Sequence, residues 1–132
     1  MVIHFDGGSR GNPGPSASAA VTDDGHTTTA FFENATSNEA EWIAAVMALH
    51  LAILKRVDRV VIKGDSLLII NQLKGKWQVK SKHLKEYYLV AKRAIEDLPN
   101  VKFEHVPREK NTIADNLVNY VLDKASKGVD DK

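Results

Sequence analysis

Four acidic residues stand where a bland core or turn residue would serve equally well: Asp6, Glu41, Asp65 and Asp115. Asp6 closes the alternating apolar run MVIHFD just before a glycine-rich segment, and Asp65 closes a second apolar run in VVIKGDS. Either aspartate alone is also an ordinary turn or cap residue. If the two runs are neighbouring parallel strands, both carboxylates leave the sheet at one carboxyl edge, where open α/β sheets place their ligands. Glu41 lies one turn inside a long apolar helix whose Ala44, Ala45, Ala48 and Ala52 form a stripe of small residues. Such a stripe lets the helix approach a sheet closely and would carry Glu41 toward the strand ends. Its neighbour Glu39 has a structural explanation, because Thr36 with Glu39 fits a capping box better than Asn38 with Glu41. Asp115 falls in the first turn of the last helix, behind Asn111 as a cap, where the helix dipole also favours an acid.

Two aspartates at adjacent strand ends and two acids in helix first turns can converge on one point. Converging carboxylates raise one another's pKa, and divalent cations relieve that repulsion. An all-oxygen ligand set suits Mg²⁺ or Mn²⁺. Two such ions about 3.5–4 Å apart can hold the attacking and leaving oxygens of an in-line phosphoryl displacement. There is no cysteine, and the five histidines show no metal-ligand spacing. Two-metal phosphodiester chemistry is therefore the expectation from the residues.

The elements that must position these acids read as βββαβααβα. Strands are expected over 1–6, 17–23, 26–33, 59–63 and 101–106, with a hairpin turn at Asp24-Gly25. Helices are expected from Asn38 to about Arg56, over 66–73, over 82–98 before Pro99, and from Thr112 to a stop at Gly128. Hairpin strands are antiparallel and helix-linked strands usually parallel, so the order implies a mixed sheet covered by helices. The 132 residues fit one domain, 1–127, with a polar tail over 128–132. With 43% apolar and 27% charged residues, the composition is that of a globular protein. No stretch reads as a membrane span or secretory leader, so a cytoplasmic monomer with no obligate protein partner is expected.

Net charge is +1, which names no partner, but its distribution is uneven. Lys74, Lys76, Lys80, Lys82 and Lys85 fall in one stretch without an acid, leaving thirteen basic against seventeen acidic residues elsewhere. Trp77 is interleaved with them, a pattern that suits a surface tracking phosphates; Lys76, Lys80 and Lys82 are the candidate contacts. Trp42 and Phe5 are expected in the core. The segment DGGSRGNPGP holds four glycines and two prolines in ten residues and reads as a tight loop. Its glycines 7, 8 and 11 would let backbone approach a ligand, with Ser9 and Asn12 adding polar contacts.

The segments DGGSRGNPGP, TSNEAEW, GDS and HVPREKNTIAD, in this order and at these separations, resemble type 1 ribonuclease H over nearly the whole chain. The resemblance implies a ribonuclease H-like α/β fold, with a five-stranded mixed sheet of order 3-2-1-4-5 and helices on both faces. It implies endonucleolytic cleavage of the RNA strand of RNA–DNA hybrids, leaving 5′-phosphate and 3′-hydroxyl ends. The family's metal-binding acids fall on Asp6, Glu41, Asp65 and Asp115; the glutamate just before the aromatic in TSNEAEW selects Glu41. Family contacts to ribose 2′-hydroxyls fall on Ser9, Gly11, Asn12, Ser37 and Asn38, and a DNA-phosphate pocket on Thr36, Asn38 and Ser81. The 2′-hydroxyl distinguishes RNA from DNA, so these roles are physically apt. The chain departs from the family in its last loop, VPREKN, which carries Arg108, Glu109 and Lys110 but not the mobile histidine of many members. His105 is expected at the end of the fifth strand and does not inherit that role, while Glu109 is placed to perturb the metals. The long basic protrusion helix is missing, with 74–85 as a compact substitute, and no separate hybrid-binding domain is expected.

Overall fold

Alternating apolar residues at the start of the chain build β1 (Val2–Ser9), which turns back antiparallel into β2 (Gly14–Thr22) and again into β3 (Thr27–Ala35). The chain then forms α1 (Ser37–Leu54), β4 (Val60–Gly64), α2 (Leu67–Leu73), α3 (Lys82–Glu96) and β5 (Val101–His105). A 3₁₀ turn over Arg108–Lys110 leads into α4 (Thr112–Asp130). This computed structural model describes residues 1–130, with side chains through 126. The sheet order is β3-β2-β1-β4-β5, with β4 parallel to both β1 and β5. Among the described residues no helix is long and apolar enough to cross a membrane.

Helices cover both faces. On one face, Ile3, Phe5, Ala20, Val60 and Ile62 of the sheet pack under α1, which is covered in turn by α3. That double cover explains why α1 is apolar nearly all round: Trp42 and Leu49 are buried, as are all four alanines of the stripe. Trp42 meets Tyr88 of α3 edge-on at 6.2 Å. On the other face, Ala17 and Ala19 of β2 take Val118 and Leu122 of α4. Small residues at alternate β2 positions, facing both ways, let both helical layers sit close to the sheet.

Three boundaries differ from the sequence reading by three residues, the rest by at most two. β1 does not end at Asp6 but runs on to Ser9, and β2 starts at Gly14 rather than Ala17, so the expected ten-residue loop shrinks to residues 10–13. The register Asp6↔Ala19, Gly7↔Ser18, Gly8↔Ala17 and Ser9↔Ser16 carries the ladder through the glycines. Glycines there read as turn signals, yet Gly7 is needed for a close contact with α1 instead. Helix α4 also continues past Gly128, since an isolated glycine costs a helix only about 1 kcal/mol. The last two residues of the expected tail lie outside the described residues.

Candidate active site

β1 outruns its parallel neighbour. Pairing with β4 ends at His4↔Lys63, whereas pairing with β2 continues to Ser9. Asp6 therefore projects beside the carboxyl end of β4, and Asp65 follows that strand directly. Strand β1 has an antiparallel partner on one side and a parallel one on the other, so this is the switch point of the sheet.

Glu41 is brought in by a missing methyl group. A Cβ on Gly7 would overlap the backbone of Ala40 and Glu41. Only glycine lets the first turn of α1 rest on the strand at this point. Ser18, opposite Gly7 on β2, fixes the contact by donating its hydroxyl to the Ala40 carbonyl at 2.6 Å. The N-terminus of α1 is closed by Thr36 and Glu39 in the expected capping box, which leaves Glu41 free to face inward. Asp115 enters from α4, where its N–H donates to the Asn111 carbonyl at 3.1 Å.

The four acids line one cleft of about 280 Å³, together with Ser9, Arg10, Arg108 and Asn119. Their charges feel one another. Burial pushes the Asp6 carboxyl up to about 8, reinforced by Asp65, Asp115 and Glu41 and opposed by the Gly7 N–H. Burial likewise raises Glu41 to about 7, with Asp65 adding to the shift and the Ser66 hydroxyl opposing it. Among the described residues, no three acids or histidines are drawn together tightly enough to form a ready-made ion cage. The donor set is nonetheless all oxygen, mutually repelling and open to solvent, which fits hard divalent cations.

Two residues to which the sequence gives only local roles belong to this site. Asn111 is 1% exposed, and its amide nitrogen donates to the Phe5 carbonyl and to Asp65 Oδ2, each at 2.9 Å. Asn111 thus ties β1, the end of β4 and the start of α4 together. Its position before a helix made it look like a cap, and nothing local in the sequence reveals the long-range bonds. Arg108, from the loop that lacks a histidine, lines the cleft with its guanidinium 3.8 Å from Asp115. Glu109 is exposed and is not among the cleft-lining residues. His105 ends β5 as expected, its Nε2 3.2 Å from the Asp65 carbonyl, where it props the strand end.

The remaining candidates fall on three segments. Ser9 donates its hydroxyl to the Ala35 carbonyl at 3.0 Å, and Gly11 takes a φ of +112°, which favours glycine. The Asn12 Oδ1 accepts from the Ser37 N–H at 2.9 Å, so the loop is pinned to the start of α1 beside Thr36 and the exposed Asn38. Ser81 caps α3, accepting weakly from the Leu84 N–H at 3.4 Å. Lys76, Lys80 and Lys82 are all exposed, and among the described residues none of the three is within ion-pair distance of an acid. Lys80 flanks a groove of about 570 Å³ lined by Trp77, Val79, Tyr88 and Leu89. Trp42 and Phe5 are core residues, as expected.

A mixed five-stranded sheet of this order, with carboxylates gathered where its central strand changes partners, defines the ribonuclease H-like class. A sequence model of the family described as reverse transcriptase-like matches residues 4–121. The bifunctional protein Rv2228c of Mycobacterium tuberculosis is 35% identical over 96% of this chain, which spans 36% of that protein. The N-terminal RNase H domain of Rv2228c, solved as a fusion with maltose binding protein, superposes with a TM-score of 0.90 at 34% identity, covering 97% of this chain and 96% of that one. Ribonuclease HI of Halobacterium salinarum is 36% identical over 92% of this chain and 64% of its own length. LC11-RNase H1, isolated from compost and solved in complex with an RNA/DNA hybrid, matches at 40% identity and a TM-score of 0.85, over 94% of this chain and 97% of that one. The chain spans about a third of the first curated relatives it matches. It belongs to the ribonuclease HI family.

Proposed function

We propose that this chain is a divalent-metal-dependent endoribonuclease that hydrolyses the RNA strand of RNA–DNA hybrids, leaving 5′-phosphate and 3′-hydroxyl ends. One observation carries the reading: Asp6 is pushed to about 8 by its burial and by three other acids that reach it from separate elements. A fold gains nothing from such repulsion unless cations enter the cleft. Asp6, Glu41, Asp65 and Asp115 would hold them, two Mg²⁺ ions or Mn²⁺ in their place. When bound, such ions supply charge neutralisation and an activated water.

The chain's own residues bind and orient. Asn111 holds one oxygen of Asp65, which lines the cleft, and leaves the other outside that bond. Arg108 offers a cation beside Asp115 for a phosphate oxygen. Ser9, having donated its proton to Ala35, presents lone pairs that can accept a ribose 2′-hydroxyl. Asn12 has committed its carbonyl oxygen to Ser37, so its amide nitrogen is the group left to donate. Gly11, Ser37 and Asn38 complete the RNA-side contacts, Thr36, Asn38 and Ser81 take a DNA-strand phosphate, and Lys76, Lys80 and Lys82 extend the DNA-side track.

The test is cleavage of end-labelled substrates in Mg²⁺. The RNA strand of a hybrid should be cut, duplex DNA should not, and the product should carry a 5′-phosphate. Asp6→Asn, Glu41→Gln and Asp65→Asn should each abolish cutting while the fold is retained. Comparable cleavage of duplex DNA, or activity surviving in all three variants, would overturn the reading.

A further inference from the structure

Glu39 does more than cap a helix. Its Oε1 accepts from the Thr36 N–H and from the Thr36 hydroxyl, each at 3.1 Å, while its Oε2 lies 2.7 Å from the His83 Nε2. His83 is in the first turn of α3, two positions after Ser81, and its ring meets Tyr87 edge-on at 5.8 Å. One carboxylate thus bridges the start of α1, which carries Thr36 and Asn38, to the start of α3, which carries Ser81. Farther along, these helices meet through Trp42 and Tyr88; near their N-termini, Glu39 and His83 join them by side chains.

His83 is 61% accessible, so the bond joins an exposed group to the half-buried Glu39 and adds little to global stability. A 2.7 Å charge-assisted contact between two helix ends instead fixes their relative placement. We propose that the Glu39–His83 pair is a positioning latch that holds Thr36 and Asn38 in register with Ser81, so that a DNA-strand phosphate meets donors already assembled. The inference rests on the phosphate-pocket reading above and adds residues that do not touch the substrate. Preassembly lowers the ordering cost of binding equally in ground and transition states, so it acts on KM and not on kcat.

The experiment measures kcat and KM on one hybrid for wild type, His83→Ala, His83→Gln and Asn38→Ala. His83→Ala should raise KM by about 3- to 10-fold, the ordering cost of one or two freed side chains, with kcat within about twofold. His83→Gln retains an amide donor toward Glu39 and should recover most of the loss. A single neutral methylphosphonate is then walked along the DNA strand. At the position held by the pocket, the gap between wild type and His83→Ala should close, which a general loss of structure would not produce. An unchanged KM in His83→Ala beside a raised KM in Asn38→Ala overturns the latch and leaves the phosphate pocket standing. An unchanged KM in Asn38→Ala removes the pocket and the latch with it, and a gap that persists at every methylphosphonate position overturns the latch.

Discussion

Asp6 is the residue whose chemistry and fold are most at odds. Its carboxyl is raised from 3.8 to about 8, chiefly by burial and then by Asp65. The folded chain therefore keeps a proton that the unfolded chain releases above about pH 4. Without divalent ions, the contribution of Asp6 to stability is fullest below that pH and falls as pH rises toward 8, by at most about 1.4 kcal/mol per unit. Melting temperatures measured against pH in EDTA should show this decline in wild type and a flatter profile in Asp6→Asn, which becomes the more stable protein at pH 7. Parallel profiles would mean that Asp6 ionises freely. Asn111 makes the complementary case: Asn111→Ala strands the buried Phe5 carbonyl and should cost about 1–3 kcal/mol. With Asp65 released as well, kcat should fall, and thermal melts beside single-turnover cleavage separate the two losses. The two residues also show what a sequence makes legible. Asp6 stands out because an apolar run ends in a charge. Asn111 hides, because asparagine before a helix already has a local explanation and its partners lie 106 and 46 positions away.

At the scale of elements, the contact between α1 and β1 sets the cleft. Gly7→Ala pushes a methyl group into the Ala40–Glu41 backbone. The helix must lift or the strand must bend, at a cost of about 1–3 kcal/mol typical of overpacking. Activity should fall further than stability, because Glu41 rides on that helix; cleavage rates compared with melting curves test it. The capping box and the alanine stripe of α1 were readable from spacing, whereas the run of β1 through its glycines was not, since a ladder between strands leaves no trace in either strand alone. The lysine stretch over 74–85 belongs here too. If Lys76, Lys80 and Lys82 meet phosphates, the log–log salt dependence of hybrid binding should flatten by about one unit for each changed to alanine. KM should rise with little change in kcat. An unchanged slope in the triple variant would leave the stretch as a solvated surface.

For the whole molecule, ions held as proposed by the four acids would couple binding to folding. The unfolded chain does not hold four acids together, so millimolar Mg²⁺ or Mn²⁺ should raise the melting temperature. At ten times the dissociation constant the gain is about 1.4 kcal/mol. Asp6→Asn should show less of it, and an identical shift in both proteins would remove Asp6 from the ligand set. Element order could be read from the pattern of apolar runs, but the strand order 3-2-1-4-5 came only from the family resemblance, because apolar alternation states which face is buried and not which strand is next door.

Past His4, the side of β1 away from β2 has no strand beside it among the described residues. An unpaired strand edge is a template on which a second chain can add, and inward-pointing charge is one of the ways proteins prevent it. Asp6 and Asp65 stand at that edge, and Asn111 occupies the Phe5 carbonyl that an incoming strand would seek. The carboxylates proposed to hold cations are therefore also the kind of inward charge that guards a strand edge against another polypeptide. Neutralising Asp6 firms the single molecule while inviting molecules to stick together, so the more heat-resistant Asp6→Asn should be the variant that scatters light first at high concentration.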